Sequence, residues 1–128
     1  MTMEIHFKVA RTDEKEISQK AKDLAERKIR NLKKYLGKTR EAVDIQVYVE
    51  LGKATEAHQT GPIWRAQINM DAPGEQFHAY AIAERIEVAI STAVSEIEQE
   101  LRKRKAQRKN VIRRGGIALK SMMRGFGL

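Results

Sequence analysis

The side chains of this 128-residue chain that could do chemistry are 3 histidines, a few strand carboxylates and 25 cations. His6, His58 and His78 have the side chain best suited to proton transfer near neutral pH. None of them has a Ser, Cys or Asp at a spacing that builds a nucleophilic triad. Asp44 and Glu50 fall on one face of a predicted strand, too far apart along it to act as a close carboxylate pair. Gly115-Gly116 follows Arg113-Arg114 with no strand before it and no Gly-Lys-Ser/Thr after it, so it is not a phosphate loop. The chain has 0 cysteines, which excludes a thiolate zinc site, an iron–sulfur cluster, a cysteine nucleophile and a disulfide scaffold. The residues predict no enzyme, no metal, no cofactor and no small-molecule substrate.

The cations need no strict spacing to act. The formal net charge is +8 and the pI about 9.9, which points to a polyanionic partner. The charge is segregated. Residues 1–40 hold 12 basic and 6 acidic side chains, residues 41–101 hold 3 and 11, and residues 102–128 hold 10 and none. A surface built only for solubility would mix the signs. In the first block, Arg27, Arg30, Lys33, Lys34, Lys38 and Arg40 follow one another with no acid between. Arg27, Arg30 and Lys34 stand three and four apart, the spacing of one helix face, and are expected as a basic ridge. In the last block, Arg102, Lys103, Arg104 and Lys105 are consecutive, so they surround a helix, and Arg108 and Lys109 extend them. One or two cations at a helix C-terminus suit the macrodipole; ten exceed that need.

The elements that position these groups follow from periodicity. Ile5, Phe7 and Val9 alternate with polar residues and predict a half-buried strand over about 3–9. Asp13 with Glu16 has the form of a helix cap. Ile17, Ala21, Leu24, Ala25, Ile29, Leu32 and Leu36 then recur at three and four, and Gly37 supplies a stop. Val43 to Leu51 alternates cleanly and predicts a second strand. Gly52 to Pro62 reads as a polar loop. Two further strands, with Trp64, Ala66, Ile68 and Met70 and then Phe77, Ala79 and Ala81 inward, form a hairpin at Pro73-Gly74. Ile86, Ala89, Ile90, Ala93, Val94, Ile97 and Leu101 predict a second helix, expected to fray past Lys105. Tyr48 and Tyr80 point to the outer sheet face, where they could stack a base; Trp64 and Phe77 are expected in the core. The fold class is α+β, in the order β-α-β-β-β-α. A four-stranded, antiparallel-rich sheet carries both helices on one face. Parallel helices would bring the two basic blocks to one end.

This order and these motifs resemble the ribosome hibernation promoting factor and ribosome-associated inhibitor A family over about residues 1–105. The residues that carry the likeness are Asn31-Leu32-Lys33-Lys34-Tyr35, Trp64-Arg65-Ala66, Pro73-Gly74, His78-Ala79-Tyr80-Ala81, Ala89-Ile90, Ile97-Glu98-Gln99-Glu100-Leu101 and Lys103. Arg85 and Ser91 stand where that family carries an acid, or an acid or Asn, and Gln99-Glu100 replaces Arg-Gln. The resemblance implies a fold like a double-stranded-RNA-binding domain, seated on the small ribosomal subunit at the decoding region. There it would exclude mRNA and tRNA and inhibit translation under stress. It implies ribosomal RNA as partner, with Arg27, Arg30, Lys33, Lys34, Arg102, Lys103 and Lys105 as contacts, and a cytoplasmic, ribosome-associated location. The alternative is a free-standing domain that binds structured RNA away from the ribosome.

Two parts are expected: an α+β ribosome-binding domain over 1–106 and a basic tail over 107–128. The tail is too short for a dedicated C-terminal dimerisation domain. Leu119, Met122, Met123 and Phe126 recur at three and four beside Lys120 and Arg124. With Arg113 and Arg114, these cations make it a segment that orders along ribosomal RNA, lies on an anionic membrane, or stays disordered. No apolar run approaches the ~20 residues that cross a bilayer.

Overall fold

The computed structural model of the chain describes residues 2–36, 44–54, 63–72 and 74–113, with side chains as far as Gln107. The element order is β1 (Thr2–Ala10), α1 (Gln19–Arg30), β2 (Asp44–Lys53), β3 (Trp64–Ala72), β4 (Glu75–Ala83) and α2 (Ile86–Arg113). Short 3-10 turns cover Glu14–Glu16 and Asn31–Tyr35. The sheet order is β1-β2-β3-β4, with β1 parallel to β2 and the other pairs antiparallel. The α+β class and the two-helix, four-strand order expected from periodicity are what the chain adopts.

The alternation in β2 determines the layers. Ile45, Val47, Val49 and Leu51 are buried, while Tyr48 stays exposed and Gln46 and Glu50 are half-buried. The inward residues of β3 and β4 continue that face, and Phe77 is 4% exposed. Onto it α2 lays Ala89, Ile90, Ala93, Ile97 and Leu101, across β3 and β4. The alanines let the helix axis approach the sheet. Beside α2, α1 adds Ala21, Ala25 and Ile29, and the following turn adds Leu32 and Leu36. Each large aliphatic buried here contributes about 1.5–3 kcal/mol. Trp64 is only partly buried, at the sheet's end, with the Lys53 ammonium 6.0 Å from its ring.

Four local expectations need correction. Asp13 does not cap α1: its side chain makes no cap hydrogen bond and it precedes only the 3-10 turn. The cap is Ser18, whose hydroxyl accepts from the Ala21 amide at 3.1 Å. The helical stripe also changes pitch, because α1 tightens to 3-10 geometry after Arg30. Gly52 belongs to β2 rather than to a loop. A Cβ there would lie 1.7 Å from the Ala10 carbonyl oxygen, so only glycine lets the end of β1 approach. Finally, α2 does not fray near Lys105 but runs to Arg113. No Gly or Pro interrupts it, and Lys, Arg, Gln and Ala are good helix formers. The expected boundary at 106/107 therefore falls inside a helix.

At the hairpin between β3 and β4, Gly74 takes φ 81°, the left-handed value the turn requires. Among the described residues, no helix is long and apolar enough to cross a membrane. No group of three or more potential metal ligands occurs among them either.

Candidate nucleic-acid interface

Strand directions fix where the cations go. Because β1 and β2 are parallel, α1 must run back against both. The two antiparallel steps to β4 return the chain to the direction of β2, and α2 runs back in turn. The two helices are therefore parallel and their C-terminal halves share one end of the domain.

Tyr35 joins them there. Its hydroxyl accepts from Nε and Nη2 of Arg102 at 3.3 and 3.2 Å. The guanidinium carbon lies 5.3 Å from the ring centre, and the Lys34 ammonium 5.2 Å from the same ring. One half-buried ring thus holds a cation from each basic block against a π face. The Tyr35 hydrogen bond pushes the Arg102 guanidinium still higher than its usual range, so it stays charged at any working pH.

The other predicted cations separate by partner. Arg30 bonds Glu26 at 3.0 Å and donates to the Met3 carbonyl oxygen at 3.2 Å, which draws it to the edge strand β1. It leaves the expected ridge because Glu26 and the Met3 carbonyl turn its guanidinium toward β1, although its spacing from Arg27 is that of one helix face. Arg104 reaches under the sheet: its guanidinium sits 4.8 Å from the Phe77 ring centre and 3.8 Å from Glu75. Arg27, Lys33 and Lys103 are exposed and Lys105 half-buried, and none has an ion pair among the described residues. Arg108, Lys109 and Arg113 lie on the last turns of α2, where only the backbone is described. Lys38, Arg40, Arg114, Lys120 and Arg124 lie outside the described residues, as do His58 and Pro73.

Two further cations, Lys20 and Arg85, join the same layer. A cleft of about 570 Å³ opens between α1 and the start of α2, lined by Lys20, Asp23, Leu24, Arg27, Arg85 and Glu87. Lys20 precedes Arg27 by two helical turns, so spacing alone carried that signal. Arg85 carried none, because its approach to α1 depends on the packing of the helices.

The other layer is a polar grid. Across it the register sets His6 beside Tyr48, Tyr48 beside Asn69, and Asn69 beside His78. The His6 ring stacks on Tyr48 at 5.0 Å and bonds Gln46 at 2.7 Å; His78 bonds Asn69 at 2.5 Å. Arg65 is held by Glu50 and Gln67. Both histidines thus bond neutral amides, and His6 also lies 3.8 Å from the Glu4 carboxylate.

Residues 10–109 match the family model described as sigma 54 modulation protein / S30EA ribosomal protein. The fold is similar to the Thermus thermophilus Protein Y N-terminal domain, with a TM-score of 0.58 at 20% identity, covering 80% of this chain and 98% of that one. It is also similar to a ribosomal subunit interface protein from Coxiella burnetii, with a TM-score of 0.55 at 18% identity, covering 80% and 97%. At such identities the likeness is one of fold. No curated protein matches the sequence.

Proposed function

We propose, for a chain that belongs to the sigma 54 modulation protein / S30EA ribosomal protein family, that it is a ribosome hibernation factor. In this reading it binds ribosomal RNA of the small subunit at the decoding region, blocks mRNA and tRNA, and inhibits translation under stress. The names of the two fold relatives, Protein Y and a ribosomal subunit interface protein, agree with that direction. The observation that carries the reading is the meeting of both basic blocks at Tyr35.

The mechanism is occupancy. Arg27, Lys33, Lys103 and Lys105 would neutralise phosphates and release their counterions, so affinity falls steeply with salt. Arg102 and Lys34 are fixed by Tyr35 and would set orientation more than strength. A rigid pair of parallel helices presents these charges together, which suits folded RNA better than a flexible single strand. No bond is made or broken, so the inhibition is reversible.

Sedimentation of lysate from energy-starved cells tests this. The protein is expected with small subunits or idle ribosomes at low salt and at the top of the gradient at high salt. Remaining at the top at low salt would overturn the ribosomal reading and favour a free-standing RNA-binding domain.

A further inference from the structure

We propose that the open face of the sheet, opposite the helices, docks an arginine-bearing basic segment of a partner protein. A depression of about 510 Å³ lies there over β2, β3 and β4, lined by Tyr48, Asn69, Asp71, Gln76 and His78 among others. Tyr48 is 50% exposed, unusual for so large a ring. His6 stacks on it and fixes its plane, leaving the rest of the ring to a ligand.

The hydrogen-bonding groups beside the ring select the ligand. By register Tyr48 lies opposite Asn69, while Asp71 lies opposite Gln46 and Gln76 in the next row of the grid. The Asp71 carboxylate is exposed and has no ion pair among the described residues. An arginine could lay its planar guanidinium on the ring and turn its edge to this acceptor. A lysine ammonium lacks the plane and the fork.

Charge rules out the obvious rival, a nucleotide. Glu4 and Asp44 share this end of the face with Asp71, and phosphate would be repelled. The one cation of β3, Arg65, is taken up by Glu50 and Gln67. Lys8 is also exposed on this face, opposite Glu50 by register and one row from Tyr48, but it lies at the other end from Asp71; Arg27, Lys33, Lys103 and Lys105 are on the helix layer. A molecule with a phosphate-binding layer and an arginine-binding layer would bridge RNA and a basic protein segment. This inference does not rest on the ribosomal reading, since it concerns the opposite layer.

The test is titration of the full chain with hexa-arginine and, separately, hexa-lysine at physiological salt, read by amide NMR shifts. Hexa-arginine is expected to shift Tyr48, Asn69, Asp71 and His78 and to bind about fivefold more tightly than hexa-lysine. Tyr48→Leu, which keeps bulk without the ring, and Asp71→Asn should each weaken it roughly threefold, with shifts elsewhere in the spectrum unchanged. Equal binding of the two peptides, undiminished binding by both variants, or shifts confined to other surfaces would overturn the site. Tighter binding after Arg114→Ser, Lys120→Ser and Arg124→Ser in the full chain would assign the face to the chain's own tail and overturn the partner. Sedimentation with ribosomes remains a separate readout, so either reading can fail alone.

Discussion

On the helix layer, Arg27, Lys33, Lys103 and Lys105 have no ion pair among the described residues. On the open sheet face, Arg65 has only 11% of its side chain exposed and is closed in by Glu50 and Gln67. Arginine is thus available at Arg27 on one surface and consumed at Arg65 on the other. What separates the two is local partnering. A cross-strand neighbour directly opposite or diagonal is always within reach on a sheet. On α1 and α2, Glu26 and Glu98 each take the arginine four residues on, Arg30 and Arg102, while Arg27, Lys33, Lys103 and Lys105 pair with no acid among the described residues and extend into water.

That contrast can be broken at several points. The largest effect is expected from reversing Lys33, Lys103 and Lys105 to Glu together. Affinity for small subunits should fall on the order of 100-fold or more at low salt, with an unchanged melting temperature. Filter binding and a thermal scan check both. A drop in melting temperature of the same size as in a core variant would mean that these cations are structural. Next, Glu50→Ala leaves Arg65 half-enclosed without its carboxylate and should cost about 1–3 kcal/mol in urea unfolding, while ribosome affinity stays within twofold. Tyr35→Phe sharpens the helix side: the guanidinium of Arg102 loses the Tyr35 hydroxyl but keeps its charge and the Glu98 carboxylate 3.8 Å away. Affinity should fall roughly threefold with the same salt slope, because the number of phosphates neutralised is unchanged.

The smallest effect concerns Glu16 at the far end. The Thr12 hydroxyl first, then the Lys53 ammonium 3.4 Å away, hold its carboxyl below the usual glutamate range. A lowered folded pKa stabilises above the unfolded value, and that stabilisation is lost as pH falls through the folded one. The Glu16 side chain is 44% exposed and its partner Lys53 equally open to water, so Glu16→Gln should change stability only slightly at neutral pH. It should also slightly flatten the acid limb of a melting-temperature profile. An identical acid limb in the variant would remove Glu16 from the account.

Legibility in the sequence followed the range of the interactions. Strand β2 could be read residue by residue, since alternation needs only one buried face to explain it. Parallel helices, and with them the meeting of the basic blocks, followed from element order once both helices were set on one side. Asp13 offers the same cap chemistry as Ser18 earlier in the chain; what discriminates them is which residue begins a sustained helix. Gly52 has the look of a loop signal, yet its reason lies in Ala10, on a different strand. Arg30 and Arg104 looked like their neighbours in the charge runs. Their partners, Met3, Glu75 and Phe77, are brought in by the fold, and no spacing announces that. Arg85 joined Arg27 for the same reason.

The length of α2 has a kinetic side. Arg104 still touches the hairpin, and the helix continues nine residues more to Arg113. At ~1.5 Å per residue that is roughly 14 Å of rod, longer than the ~8 Å over which salt screens a charge. Arg108, Lys109 and Arg113 ride on it. The acidic middle of the chain is therefore hidden electrically from whatever the rod's tip approaches. In the proposed reading, a polyanion diffusing nearby would meet the positive tip first and turn the molecule before any contact forms. The end of α2 would then set the approach angle and the association rate, and the body behind it would decide whether the partner stays.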